Sequence, residues 1–145
     1  MRFKLEKVHY MPKQLEPGIL YVSYEFGTAA HLCACGCGEK VRTPLGPTEW
    51  AIEEHVAGPS LWPSVGNWQR PCKSHYVITA GEIMWAPRWS KTQIYAGRAN
   101  EERRRQAYFA AQQRERKGPL SRFADWVRTL VKWTGQKITS HFHRS

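Results

Sequence analysis

The chain has 145 residues, enough for about one modest domain with an appended element. It carries 22 Lys and Arg against 12 Asp and Glu, a formal net charge of +10, and its aromatic fraction is 12% with seven Trp. That much aromatic surface excludes a fully disordered chain, and no apolar run approaches the ~18 residues that a membrane span needs. The N-terminal MRFKLEKVHY lacks the apolar stretch of a secretory signal, so a cytoplasmic, reducing setting is expected for the four Cys.

In chain order, residues 2–9 alternate with period 2 through Phe3, Leu5 and Val8 and predict a strand. Pro12 to Gly18 is a turn. Ile19 to Phe26, rich in β-branched and aromatic residues, is the clearest strand, and Gly27 ends it. A further strand begins near Ala30, runs into a Cys/Gly loop and returns over Val41–Thr43. Trp50 to Val56 suits a strand or a short helix. Gly58 to Gly66, with Pro59 and Pro63, reads as a loop or two broken strands. His75–Thr79 and Glu82–Trp85 flank Ala80-Gly81 and predict a tight hairpin.

The C-terminal third differs. Residues 1–96 hold ten basic and eight acidic residues, whereas residues 97–145 hold twelve and four. All four Cys, eight of the nine Pro and eight of the eleven Gly precede residue 97, which places a boundary near Ala96–Arg98. Asn100 is a candidate helix cap, followed by Glu101 and Glu102 where acids suit the helix dipole. Gly118-Pro119 ends that helix. Leu120, Phe123, Ala124, Val127, Leu130 and Val131 then recur at helical spacing, so a basic helical hairpin is expected over 97–145. Its Arg clusters suit solubility, or contact with phosphates of nucleic acid or an acidic protein face. Most of the Trp are expected to fill the core.

Cys33, Cys35 and Cys37 are spaced by two, with Gly36 and Gly38 between and after, and Cys72 follows in a Cys-Lys-Ser-His segment. An extended strand would spread the first three over ~13 Å at ~3.3 Å per residue, so they can meet one ion only if the backbone turns. Gly36 and Gly38 permit that turn. Cys33, Cys35, Cys37 and Cys72 are therefore the expected metal ligands, with His31 and His75 as possible substitutes. Four thiolates would fill the shell of a zinc ion and make it structural, because a catalytic zinc keeps a position for water.

Hydroxyls near this cluster are Ser64, in a Pro-Ser-Val-Gly-Asn turn, and Ser74, beside His75. A serine nucleophile needs a base at about 2.6–3.2 Å. His75 is the candidate base, and Glu53, Glu54 or His55 are candidates to orient it. In a regular strand Ser74 and His75 face opposite sides, so pairing those two would need a bend.

The runs HLCACGCGEKVRTPLGPTEW and SLWPSVGNWQRPCKSHYVITAGEIMW resemble a small bacterial family, BubE, whose members share a CxCGCG cluster, a PS-hydrophobic-GNW turn and a C-basic-SHY segment. The resemblance covers roughly residues 3–90. Some members sit in operons beside ubiquitin-like proteins and E1- and E2-like enzymes, and are regarded as serine peptidases that process the ubiquitin-like protein or remove it from targets. The resemblance implies hydrolysis after the C-terminal glycine of such a modifier, with Ser64, Ser74 and His75 as the matched catalytic candidates. It says nothing of the basic tail.

The expectation is an α+β chain: a mainly β, zinc-stabilised domain over 1–96 and a basic helical extension over 97–145. The expected activity is a serine peptidase for a ubiquitin-like modifier. Two alternatives are a non-catalytic zinc module that binds nucleic acid or an acidic partner through its tail, and a zinc hydrolase with His75 as a ligand.

Overall fold

The computed structural model describes residues 1–116 and 126–127. These form two four-stranded sheets and a helix, an α+β architecture. One sheet contains β1 (Lys4–Lys7), β2 (Ile19–Ser23), β3 (Thr28–Leu32) and β4 (Lys40–Pro44), in that order. The other contains β5 (Ala51–His55), β6 (Gly58–Gly66), β7 (His75–Thr79) and β8 (Glu82–Trp85). Strand β1 runs parallel to β2 and the remaining pairs are antiparallel. Isolated bridges at Leu45–Trp50 and Arg2–Glu82 join the first sheet to the second at two places.

Side-chain pattern explains where each strand sits. Leu20, Tyr21 and Val22 of β2 are all buried, as befits an inner strand. Strand β4 alternates, with Val41 and Thr43 inward and Lys40 and Arg42 outward, as an edge strand with one wet face does. The two sheets share one core: Leu20, Val22, Ala29 and Val41 from the first, and Leu61, Val65, Tyr76 and Ile78 from the second, with Phe3. The β7–β8 hairpin turns at Ala80 and Gly81, both at positive φ, the backbone that a two-residue turn requires. A Cβ at Gly81 would lie 2.8 Å from the Phe3 carbonyl, so this turn also admits only glycine for space.

Three sequence expectations change. Residues 58–66 form a single strand, not a loop. Pairing with β5 ends at Trp62, and pairing with β7 skips from Leu61 to Val65, so Pro63 falls in an irregular stretch where its missing N–H forfeits no ladder bond. The helix α1 spans Lys91–Arg116 and starts well before Asn100. Its cap is Ser90: Gln93 N–H donates to Ser90 Oγ at 3.3 Å, and Ser90 N–H donates back to Gln93 Oε1 at 2.8 Å. This reciprocal box is a stronger start than Asn100 offers. Finally, none of the described Trp residues belongs to the buried core; Trp62, Trp85, Trp89 and Trp126 are all exposed.

The chain divides into two compact units, Met1–Glu101 and a second from Glu102 onward. Helix α1 therefore runs through the Ala96–Arg98 region. The second helix of the expected hairpin lies outside the described residues, apart from helical Trp126 and Val127. Among the described residues, no helix is long and apolar enough to cross a membrane.

Candidate functional site

The site is built where β6 leaves the sheet and β7 enters it. Gly66 pairs with His75 and Val65 with Tyr76, so the 67–74 loop returns the chain beside the end of β6. Ser64 Oγ lies 3.0 Å from His75 Nε2. On the other side of the ring, His75 Nδ1 lies 2.8 Å from the Pro87 carbonyl oxygen. A carbonyl can only accept, so Nδ1 carries the hydrogen and Nε2 of the neutral ring is the acceptor. The Ser64 hydroxyl therefore donates to His75, the arrangement in which a histidine can take its proton.

Aromatic rings hold the imidazole. His75 is buried and packs against Trp68, with centroids 4.8 Å apart, and against Trp89 edge-on at 5.2 Å. Trp68 and Trp89 stack on one another at 5.7 Å and 17°. Ser64 and His75 open into a cleft of about 140 Å³ lined also by Trp50, Gly66, Trp68, Trp89, Ile94, Arg98 and Glu101.

Ser74 points the other way, as adjacent residues of an extended chain do. Its Oγ lies 3.1 Å from Cys33 Sγ and 3.5 Å from Cys72 Sγ, and accepts from Asn67 Nδ2 at 2.9 Å. The structure thus brings Ser64 and His75 together and places Ser74 among the cysteines. Glu54 is engaged by Lys7 at 2.9 Å and Tyr24 at 3.0 Å, and Glu53 lies 3.6 Å from His55. None of these three candidates orients His75; the Pro87 carbonyl does. Sequence reasoning missed Pro87 because a backbone atom leaves no residue-type signal. It missed Trp68 and Trp89 because it assigned the Trp to the core.

The four cysteines do converge. The Sγ atoms of Cys33, Cys35, Cys37 and Cys72 all lie within 4.8 Å of one another. Tetrahedral zinc with Zn–S near 2.3 Å requires S···S separations of about 3.8 Å, so the set fits a metal ion with small adjustments. The turn is made by Gly36 N–H donating to the Cys33 carbonyl at 3.0 Å, with Gly36 and Gly38 at φ 83° and 79°. Burial opposes charge on Cys72, but hydrogen bonds from the Ser74 hydroxyl and backbone outweigh it, helped by Cys35 and Cys37, and bring this thiol down to about 7. Desolvation and the Cys37 and Cys33 thiols push Cys35 up to about 12.

Neither histidine substitute joins this cluster. Both ring nitrogens of His75 are engaged by Ser64 and Pro87. His31 Nε2 bonds the Tyr76 hydroxyl at 2.9 Å, and its ring meets Phe3 edge-on at 5.3 Å. Burial pushes His31 down to about 4, so it is a neutral core residue.

The model of the family described as bacterial ubiquitination-like system serine protease (BubE) matches residues 7–86. The chain belongs to the BubE family. The matched span contains Ser64, His75 and all four cysteines, and it ends just before Pro87, Trp89 and helix α1. No curated protein and no solved structure matches the chain.

Proposed function

We propose that this chain is a serine protease that hydrolyses the bond after the C-terminal glycine of a bacterial ubiquitin-like modifier, with Ser64 as nucleophile and His75 as general base and acid. One observation carries the assignment of roles: the Ser64 hydroxyl donates to His75 Nε2 at 3.0 Å while the Pro87 carbonyl fixes the opposite nitrogen. Family membership supports the reaction class and the ubiquitin-like partner; E1- and E2-like enzymes would be the neighbouring components of such a system.

In this reading Ser64 Oγ attacks the scissile carbonyl carbon as its proton passes to His75 Nε2. The tetrahedral intermediate collapses, the C–N bond breaks, and the leaving amine takes the proton from His75. Water then attacks the Ser64 ester, with His75 again accepting a proton, and the modifier leaves with a free carboxylate. The Pro87 carbonyl holds the tautomer and orientation that a triad carboxylate otherwise provides, and its partial negative charge faces the imidazolium as it forms.

The metal belongs to the scaffold. Zinc suits four cysteines at this spacing, and thiolates from all four would complete its shell. Bound zinc would supply cross-linking and no chemistry at the scissile bond. Cys33, Cys35 and Cys37 follow β3, whereas Cys72 lies in the 67–74 loop. The centre would tie the first sheet to the loop that carries Trp68 and leads into His75.

The test is cleavage of a ubiquitin-like protein fused through its terminal glycine to a reporter. Ser64→Ala should abolish release while zinc remains bound. Turnover retained in that variant would sink the assignment.

A further inference from the structure

The matched family span stops at residue 86, yet His75 takes its orienting contacts from residues that follow it. Pro87 supplies the carbonyl to Nδ1, and Trp89 lies edge-on to the ring. Trp89 itself meets two further groups. It stacks on Trp68. It also rests on Gly97 of α1, where an added Cβ would lie 2.6 Å from Trp89 Cζ3 and 3.3 Å from its Cη2. Trp68 is seated in the same way on Gly66, where a Cβ would lie 2.4 Å from its Nε1.

A glycine in the interior of an exposed helix costs about 1 kcal/mol relative to alanine. No residue of α1 is buried, and Gly97 has ordinary helical φ, so neither core packing nor backbone conformation explains the residue. The space it leaves is filled by the Trp89 ring.

We infer that the row Gly66–Trp68–Trp89–Gly97 is a positioning device for His75, and that Pro87 to Arg98, including the first turns of α1, is a working part of the catalytic unit. This rests on the Ser64–His75 reading. Trp68 and Trp89 pack against the imidazole and fix its plane, in a ring that is itself buried. Each glycine sets how close its indole can come. The ring is then held where Nε2 faces Ser64 and Nδ1 faces Pro87, with a main-chain carbonyl rather than a carboxylate on Nδ1.

The test uses the full-length protein, wild type against Gly97→Ala, Trp89→Ala and Trp89→Phe. Two readouts are taken: the labelling rate of Ser64 by a small fluorophosphonate, and the water-exchange rate of the His75 Nδ1 proton by NMR. The small probe makes no demand on the substrate-binding surface. Gly97→Ala raises helix propensity, so a purely structural helix would tolerate it or gain from it. Displacement of Trp89 should instead slow labelling by about tenfold or more and speed Nδ1 exchange, because misplacing a reacting group by about 1 Å can cost ~100-fold. Trp89→Ala should do the same, and Trp89→Phe, which keeps a ring, should recover most of both.

Unchanged labelling in Gly97→Ala overturns the inference, as does slower labelling with unchanged Nδ1 exchange. If wild type is not labelled at Ser64, the protease reading fails. Even then a protected Nδ1 proton that Gly97→Ala exposes would uphold the positioning role, and a proton equally exposed in both would end it. Should Trp89→Ala fail to fold, Gly97→Ala decides.

Discussion

Ser74→Ala distinguishes the two candidate hydroxyls, Ser64 on His75 and Ser74 among the cysteines. Ser74 is 7% exposed, accepts from Asn67 Nδ2 at 2.9 Å and lies 3.1 Å from Cys33 Sγ. Its loss leaves the Asn67 amide without this acceptor and removes the side-chain hydrogen bond, though not the backbone one, that favours charge on Cys72. Leaving one buried polar group unsatisfied costs about 1–3 kcal/mol. Groups that hydrogen-bond metal ligands typically change metal affinity by about 10–100-fold. We therefore expect Ser74→Ala to lower zinc affinity in that range, by chelator competition, and to lower the urea midpoint. With saturating zinc it should keep fluorophosphonate labelling at Ser64 within about threefold of wild type, since surface of the ring facing Ser64 is untouched. Abolished labelling in a folded, zinc-loaded Ser74→Ala protein, with Ser64→Ala still labelled, would reverse the roles assigned to the two serines.

Other outcomes follow from the same structure. Tyr76→Phe removes the hydroxyl that bonds His31 Nε2 at 2.9 Å in the core, and should destabilise the fold by about 1–3 kcal/mol in urea unfolding; no loss would show that His31 finds another partner. Leu61→Ala, at a fully buried position shared by both sheets, should cost about 2–5 kcal/mol by the same assay. Removing metal with a chelator, or Cys72→Ser, should lower the Tm and raise protease sensitivity within the 67–74 loop before the β2–β3 hairpin opens; uniform cleavage across both would argue against a local role for the cluster.

Local patterns made much of the fold readable. The β-branched run of β2, the return of β4 after the Cys/Gly turn and the Ala80-Gly81 hairpin each follow from a few neighbouring residues. The cysteine set was readable because spacing by two with intervening Gly36 constrains the backbone. Strand β6 was not, since Pro59 and Pro63 look like breakers until the irregular pairing that accommodates Pro63 is seen. The start of α1 was missed although Ser90-Lys-Thr-Gln93 has the Ser-x-x-Gln spacing of a capping box, because the acids after Asn100 offered a competing start.

The site divides in the same way. Ser64, Ser74 and His75 could be named as candidates, but the pairing of Ser64 with His75 depends on the Gly66–His75 register and the irregularity before it. Those are long-range features. The orienting group is a main-chain oxygen, which residue identity does not encode. The Trp residues were visible but misassigned: aromatic content was read as core filling, whereas Trp50, Trp68 and Trp89 line the cleft.

The central claim is that His75 activates Ser64. Mass-spectrometric mapping of a fluorophosphonate adduct on the folded, zinc-loaded protein, beside its His75→Ala variant, tests it most directly. A stoichiometric adduct on Ser64 is expected in the wild type, with labelling slowed by about 100-fold or more without the imidazole. An adduct on Ser74, or Ser64 labelling that ignores the loss of His75, would contradict it.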